Sequence, residues 1–234
     1  MTVSLTSLKQ SLHAGLTAVA QGADPALIYH SNAQLWASHP FNQLQGLEAI
    51  RRVWSQLRYA LPDMQRRDQI FVAGNSKADA RMPDDLEGRV LVASMGHYQG
   101  SFVNDLCGIP ATHGVVNLRV CEVHHLVEGK IAQSYVMLDL LDLMGQAGCW
   151  PIAPSLGAEG MWSGPATNDG VRLHTSDPSG GQTAFDTVIS MHNALGSFDG
   201  KSLDSMQHGA YWADNFLWYG PSGIGQTRGM TGFR

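Results

Sequence analysis

The residues equipped for chemistry gather in one stretch, Val115 to Gly148, VVNLRVCEVHHLVEGKIAQSYVMLDLLDLMGQAG. Two runs rich in β-branched and apolar residues, Val115 to Val127 and Lys130 to Leu138, flank Glu128-Gly129, and an acidic residue before glycine suits a two-residue hairpin turn. With Val127 opposite Lys130, counting back sets Glu122 against Tyr135 and Leu118 against Asp139. Side chains alternate by face along a strand, so Glu122, His124, Tyr135, Met137 and Asp139 fall on one side. Carboxylates, an imidazole and a phenol among apolar walls are the makings of a ligand cavity. The other side carries Cys121, Val123, Ala132, Val136 and Leu138 and is too apolar for water, so it should meet a second subunit or another part of the chain.

Acid and base work suits these groups best. A carboxylate in an apolar pocket has its charged form disfavoured by desolvation, which raises its pKa toward working pH. Asp139 is the candidate; it is equally placed to cap a helix from Leu140 to Met144, and spacing alone does not choose. A phenol, Tyr98 or Tyr135, can donate to an enolate oxygen as charge develops there. Either His97 or Tyr98 can face the cavity, but not both unless a bulge intervenes. Glu122, His124, Tyr135 and Met137, with Trp36 and Trp54, are candidate substrate walls, although Trp54 lies in a helical stripe and reads also as core. Metal and nucleotide chemistry find no support. His124 and His125 are strand neighbours that point to opposite faces, no HExxH occurs, and Gly223-Ile224-Gly225 lacks the following glycine of a dinucleotide loop. No metal and no cofactor are expected.

With 234 residues, 44% hydrophobic and 15% charged, the chain has apolar material for one or two cores. A net charge of -5 without a basic run excludes a nucleic-acid partner. No window approaches the ~20 apolar residues of a membrane span, and no leader is evident at the N-terminus, so a cytoplasmic protein is expected. Three cysteines with no CxxC pair fit reduced thiols.

Leu5, Leu8, Leu12, Leu16 and Val19 predict an amphipathic helix that stops at Gly22, and Asp24-Pro25 caps a short second one. Tyr29 to Trp36 reads as extended. Leu47, Ile50, Val53, Trp54 and Leu57 predict a further helix ending before Pro62. Gln69 to Ala73 and Val90 to Gly100 read as strands, joined by an Asp-rich surface connection from Gly74 to Gly88. Helices first and strands after make an α+β fold.

The segments GHYQGSF at Gly96 to Phe102, GIPATHGVVNLRV at Gly108 to Val120 and EGKIAQSYVMLDLLDLMGQAG at Glu128 to Gly148 together resemble the SnoaL-like polyketide cyclases of the nuclear transport factor two-like fold. The resemblance covers residues 5–148 in element order. It implies a cone of bent antiparallel sheet and packed helices around an apolar pocket. In that family an aspartate four residues after an aromatic on the last strand is acid and base, which here is Tyr135 to Asp139 and favours the catalytic reading of Asp139. Two positions depart from the family pattern. Ser134-Tyr135-Val136 stands where His-Trp-Asp is common, and Gly96-His97-Tyr98-Gln99-Gly100 puts Tyr98 in the place of a histidine.

After Gly148 the composition turns to Gly, Pro and Ser, and residues 149–182 read as a connection that packs on the first domain. Beyond it Ser190-Met191-His192 is similar to Ser11-Leu12-His13, Leu217-Trp218 to Leu35-Trp36, and Gly229 to Phe233 to Gly46 to Ile50. Residues 183–234 therefore read as the opening part of a second copy of the same domain, a tandem form whose second copy is incomplete. Trp218 and Tyr219 would line a ligand wall there. The expected function is a cofactor-free cyclase, isomerase or dehydratase-like enzyme that moves a proton on a small carbonyl or polyketide-like compound. The alternative is a non-catalytic small-molecule-binding or dimerisation module of the same fold. Either form takes a hydrophobic small-molecule ligand and is expected to be a homo-oligomer.

Overall fold

Leucines three and four apart form α1, Leu5–Ala20, which begins where the Ser4 side chain accepts the Ser7 N–H and buries Leu12, Leu16 and Val19. The computed structural model describes residues 4–77, 88–175 and 178–233. Most of the connection expected between Gly74 and Gly88 lies outside them. A 3-10 turn, Pro25–Leu27, capped by Asp24, leads into β1, Tyr29–Ala37, and β2, Gln43–Gln45. Gly46, at a φ of 84°, then opens α2, Leu47–Ala60, whose Ile50, Val53, Trp54 and Leu57 face the core. The helix ends before Pro62, as the steric clash with a proline ring requires.

Four longer strands follow: β3 Gln65–Asn75, β4 Val90–Ser101, β5 Val115–Val127 and β6 Lys130–Leu138, before the short helix α3, Leu140–Gln146. With β1 and β2 they form one six-stranded sheet in the order β2-β1-β6-β5-β4-β3. The pairs are antiparallel, as expected for this bent sheet, except β1 with β6, which is parallel. The architecture is α+β, a curled sheet with helices packed on its inner face.

Two bulges decide what the inner face carries. In β6, Ala132 is the extra residue, since His125 pairs with Gln133 but Leu126 with Ile131. Glu128 and Gly129 make the turn with positive φ at both positions, but the bulge slips the register by one beyond it. Glu122 now faces Val136 and Val123 faces Tyr135. In β3 the extra residue is Gln69, so Arg66 and Asp68 before it point inward together with Phe71 after it. Gly96 opposite permits this, because a Cβ there would lie 2.1 Å from the Arg67 carbonyl oxygen.

The chain divides into two units, residues 1–152 with 160–174, and residues 153–159 with 175–234. In the first, residues 160–174 form a strap. Trp162 is buried on the outer side of the sheet, and Gly170 to Arg172 hydrogen-bond with both backbone groups of Phe71 along the otherwise open edge of β3. Covering that edge removes a template for strand addition. Lys9 and Gln10 of α1 donate to the carbonyls of His174 and Leu173 and fasten the far end.

The second unit contains α4, Pro178–Leu195, two 3-10 turns, the strand pair β7, Leu217–Trp218, and β8, Thr227–Arg228, and α5, Gly229–Phe233. Its elements come in the order of α1 to α2. The 3-10 turn His208–Ala210 and the pairs Leu217 with Arg228 and Trp218 with Thr227 match Pro25–Leu27 and the pairs Gln34 with Gln45 and Leu35 with Leu44, every position shifted by the same number of residues. A cluster of Trp212, Phe216, Trp218, Phe233 and His208 holds it together.

Candidate functional site

The inner face of the curled sheet carries polar groups that strand alternation and the two bulges bring together: Arg66 and Asp68 from β3, Ser94 and Tyr98 from β4, Glu122 and His124 from β5, and Ser134 from β6. The side chains of Arg66, Asp68, Glu122 and His124 are each at most 4% exposed. Burial of this many charges is costly unless each is paired, and the hydrogen bonds supply the pairing. Tyr98 Oη donates to Glu122 Oε1 at 2.7 Å, and Ser94 Oγ donates to Oε2 at 2.9 Å. Arg66 Nη2 lies 2.6 Å from Glu122 Oε2 and 2.8 Å from Asp68 Oδ1, and Arg66 Nε donates to Asp68 Oδ2. Asp68 also faces His13 of α1, at 3.2 Å. His124 Nδ1 pairs with Ser134 Oγ at 2.8 Å, and its Nε2 stands 3.6 Å from Glu122 Oε2.

These contacts fix the protonation states. Burial pushes the Glu122 carboxyl upward, but the adjacent Arg66 charge and the His124 contact hold it well below the usual carboxylate range. Burial and the Glu122 charge drive the Tyr98 phenol well above its ordinary value. At neutral pH the pair is therefore a carboxylate and a neutral phenol.

Both line a small chamber. Its walls are Leu35, Val53, Trp54, Leu57, Val136 and Leu138, with Tyr29, Tyr98 and Glu122 as the polar members. The Trp54 ring meets that of Tyr98 edge-on at 5.7 Å. The enclosed space is about 20 Å³, room for one water molecule.

The residues named from sequence fall into five places. Tyr98, Glu122 and Trp54 line the chamber, and His124 sits behind Glu122 in the same network. Tyr135, Met137 and Trp36 lie on the opposite face, where Trp36 and Tyr135 stack at 4.9 Å in an open, mainly apolar groove with Val123. The Ala132 bulge is the reason Tyr135 and Met137 do not share a side with Glu122, and Val136 and Leu138 go inside instead. Asp139 is not among the chamber residues. Its Oδ1 accepts the Asp142 N–H at the start of α3 and its Oδ2 faces Arg119 Nη1 at 3.3 Å, with Asp142 the second acidic partner of Arg119. Trp218 and Tyr219 belong to the second unit, where Trp218 packs against Trp212 and Phe233.

His97, next to Tyr98, points to the outer face, as strand alternation demands. There the strap covers it: Trp162 N–H donates to His97 Nε2 at 3.1 Å, and Arg119 lies over the Trp162 ring at 5.3 Å while donating to the Gly160 carbonyl. Burial, with Arg119 nearby, lowers the His97 pKa from 6.5 to about 4. A histidine kept neutral in the fold but free to charge when unfolded contributes stability in full above pH ~6.5 and loses it as the pH falls toward 4. Wild type should therefore lose about 2–3 kcal/mol more than His97→Gln between pH 7 and 4 in urea titrations, other acid-labile groups being common to both. Equal losses would show that His97 does not hold the strap.

Arg66, Asp68, Ser94 and Ser134 were not singled out from the sequence. The signal was present in Arg66-Arg67-Asp68, charges in strand alternation, but the strand was begun at Gln69, four residues late. Among the described residues no group of three His, Cys, Asp or Glu is placed to hold a metal ion, and no helix is long and apolar enough to cross a membrane.

No family model matches the sequence, and no curated protein matches it. Solved structures do. IdmH of Streptomyces antibioticus, a proposed polyketide cyclase, is 17% identical at a TM-score of 0.47, over 60% of this chain and 98% of that one. A SnoaL-like protein of Jannaschia sp. CCS1, also a proposed polyketide cyclase, is 16% identical at 0.45, over 65% and 99%. The epoxide hydrolase/cyclase-like enzyme SalBIII is 18% identical at 0.42, over 56% and 89%. The chain is thus similar to SnoaL-like cyclases in its α+β architecture, a curled sheet with packed helices.

Proposed function

We propose that this protein is a cofactor-free enzyme of cyclase or isomerase type that moves a proton on a small carbonyl or polyketide-like compound inside the curled sheet. The observation that carries this reading is the Tyr98–Glu122 pair, an ionised carboxylate and a neutral phenol 2.7 Å apart on the wall of an apolar chamber. Proton transfer runs through that pair, not through Asp139. Glu122 takes a proton from the substrate carbon, Tyr98 turns its O–H from Glu122 to the oxygen on which enolate charge develops, and Glu122 returns the proton to carbon. Arg66 makes Glu122 a weak base. In compensation, Arg66 and Ser94 lock Oε2, which holds the carboxylate in place with Oε1 on the Tyr98 side. The carbonyl or polyketide-like class follows from the resemblance of the sequence, and native mass spectrometry of the purified protein for a co-purifying small molecule tests it. An anionic or phosphorylated ligand would count against it.

The binding or dimerisation module draws on a different observation, the stacked Trp36 and Tyr135 beside the half-exposed Val123 on the outer face. We assign this face to a second copy of the chain, which serves either function. Val123→Glu together with Tyr135→Glu should convert a dimer into a monomer by light scattering; a wild-type monomer mass would remove the assignment. The second unit, with the strand register of β1 and β2, is read as the opening block of a second domain of the same kind.

A further inference from the structure

We infer that the chamber selects a neutral or cationic hydrogen-bond donor, such as the enol or hydroxyl of an uncharged compound, and rejects a carboxylate. The inference rests on the chamber being a ligand site, as proposed above, and adds the class of group that Glu122 and Tyr98 meet. Charge is the first reason. Arg66 is the single guanidinium against two buried carboxylates, Asp68 and Glu122, and of these three Glu122 is the one on the chamber wall. An incoming carboxylate would meet like charge where little water can screen it.

The supply of donors is the second reason. The polar hydrogens around Glu122 already point at protein acceptors: Tyr98 Oη–H at Glu122 Oε1 and Ser94 Oγ–H at Glu122 Oε2, with Arg66 Nη2 2.6 Å from Oε2. Acceptor capacity remains. A carboxylate has about four lone-pair sites and a phenol oxygen two, more than these donors fill. A group that brings its own proton gains a bond to this wall, whereas a carboxylate brings only lone pairs and a second negative charge beside Glu122. An enol or hydroxyl is also a form from which Glu122 can take a proton, so selection and proposed chemistry agree.

Three ring compounds of one shape test this: cyclopentylmethanol, cyclopentylmethylamine as its ammonium ion, and cyclopentanecarboxylate. Their binding is read by ligand-observed NMR on the full chain, in wild type and in Leu57→Ala, which shortens a buried wall residue to admit the ring. The alcohol and the ammonium should bind at least tenfold tighter than the carboxylate, and Glu122→Gln should reduce that ratio to within about twofold. Carboxylate binding as tight as the alcohol overturns the inference but leaves the chamber a ligand site. No binding of any probe to either protein overturns both. If Glu122→Gln does not fold, the ratio in wild type and Leu57→Ala still decides.

Discussion

Replacing Arg66 by Met should cost about 3–5 kcal/mol of folding stability at pH 7, more than any other single change in the first unit's polar interior. The guanidinium is 1% exposed and is shared by Asp68 and Glu122, and its removal leaves two buried carboxylates without the cation they share. The pH dependence distinguishes this from lost packing. In wild type Glu122 is held ionised by Arg66, so its contribution is present above pH ~4.5 and disappears as the pH falls. Without Arg66, burial acts on Glu122 against the His124 contact only and its pKa rises, so the variant is penalised as the pH rises. The gap between wild type and Arg66→Met, measured by urea unfolding, should therefore narrow from pH 7 to pH 4. Adding Glu122→Gln to the variant should recover part of the loss at pH 7. A gap under ~1 kcal/mol, or one independent of pH, would mean that the charges are not coupled as the 2.6 Å contact implies.

The second large effect is on turnover. Glu122→Gln keeps shape and one acceptor oxygen but removes the titratable carboxylate, and a general acid or base contributes typically ~100- to 10,000-fold in rate. Tyr98→Phe removes the phenolic hydrogen and should also slow turnover at least tenfold with binding little changed. Asp139→Asn is expected to stay within a few-fold of wild type. Asn caps a helix nearly as well as Asp, and Arg119 keeps Asp142 and the Gly160 carbonyl. These three variants separate the chamber from the end of β6.

The sequence made the hairpin readable because acidic-Gly between two β-branched runs has one good solution, and the structure has Glu128-Gly129 there with both φ positive. It did not reveal which residues share a face. A single bulged residue, Ala132, leaves no trace in an apolar pattern, yet it moves every side chain after it across the sheet. That slip separated Tyr135 and Met137 from Glu122. The neighbouring choice of His97 or Tyr98 came out as alternation requires, one on each face, with the outer one buried by residues more than sixty positions away. No periodicity marks that strap. Trp162, a few backbone hydrogen bonds and Gly170, where a Cβ would lie 2.1 Å from the Gln69 carbonyl oxygen, hold it. Arg66 escaped notice for a related reason: a buried cation is recognised only when its carboxylates are known, and those come from β3 and β5.

The measurement closest to the central claim is solvent-deuterium incorporation at the α-carbons of a small neutral monoketone such as butanone, followed by proton NMR. Wild type, Glu122→Gln and Asp139→Asn are compared at pH 7. The Tyr98–Glu122 chamber predicts catalysed exchange by wild type and Asp139→Asn and a rate at the uncatalysed background for Glu122→Gln. Exchange lost in Asp139→Asn and retained in Glu122→Gln would contradict it and return the proton transfer to the end of β6.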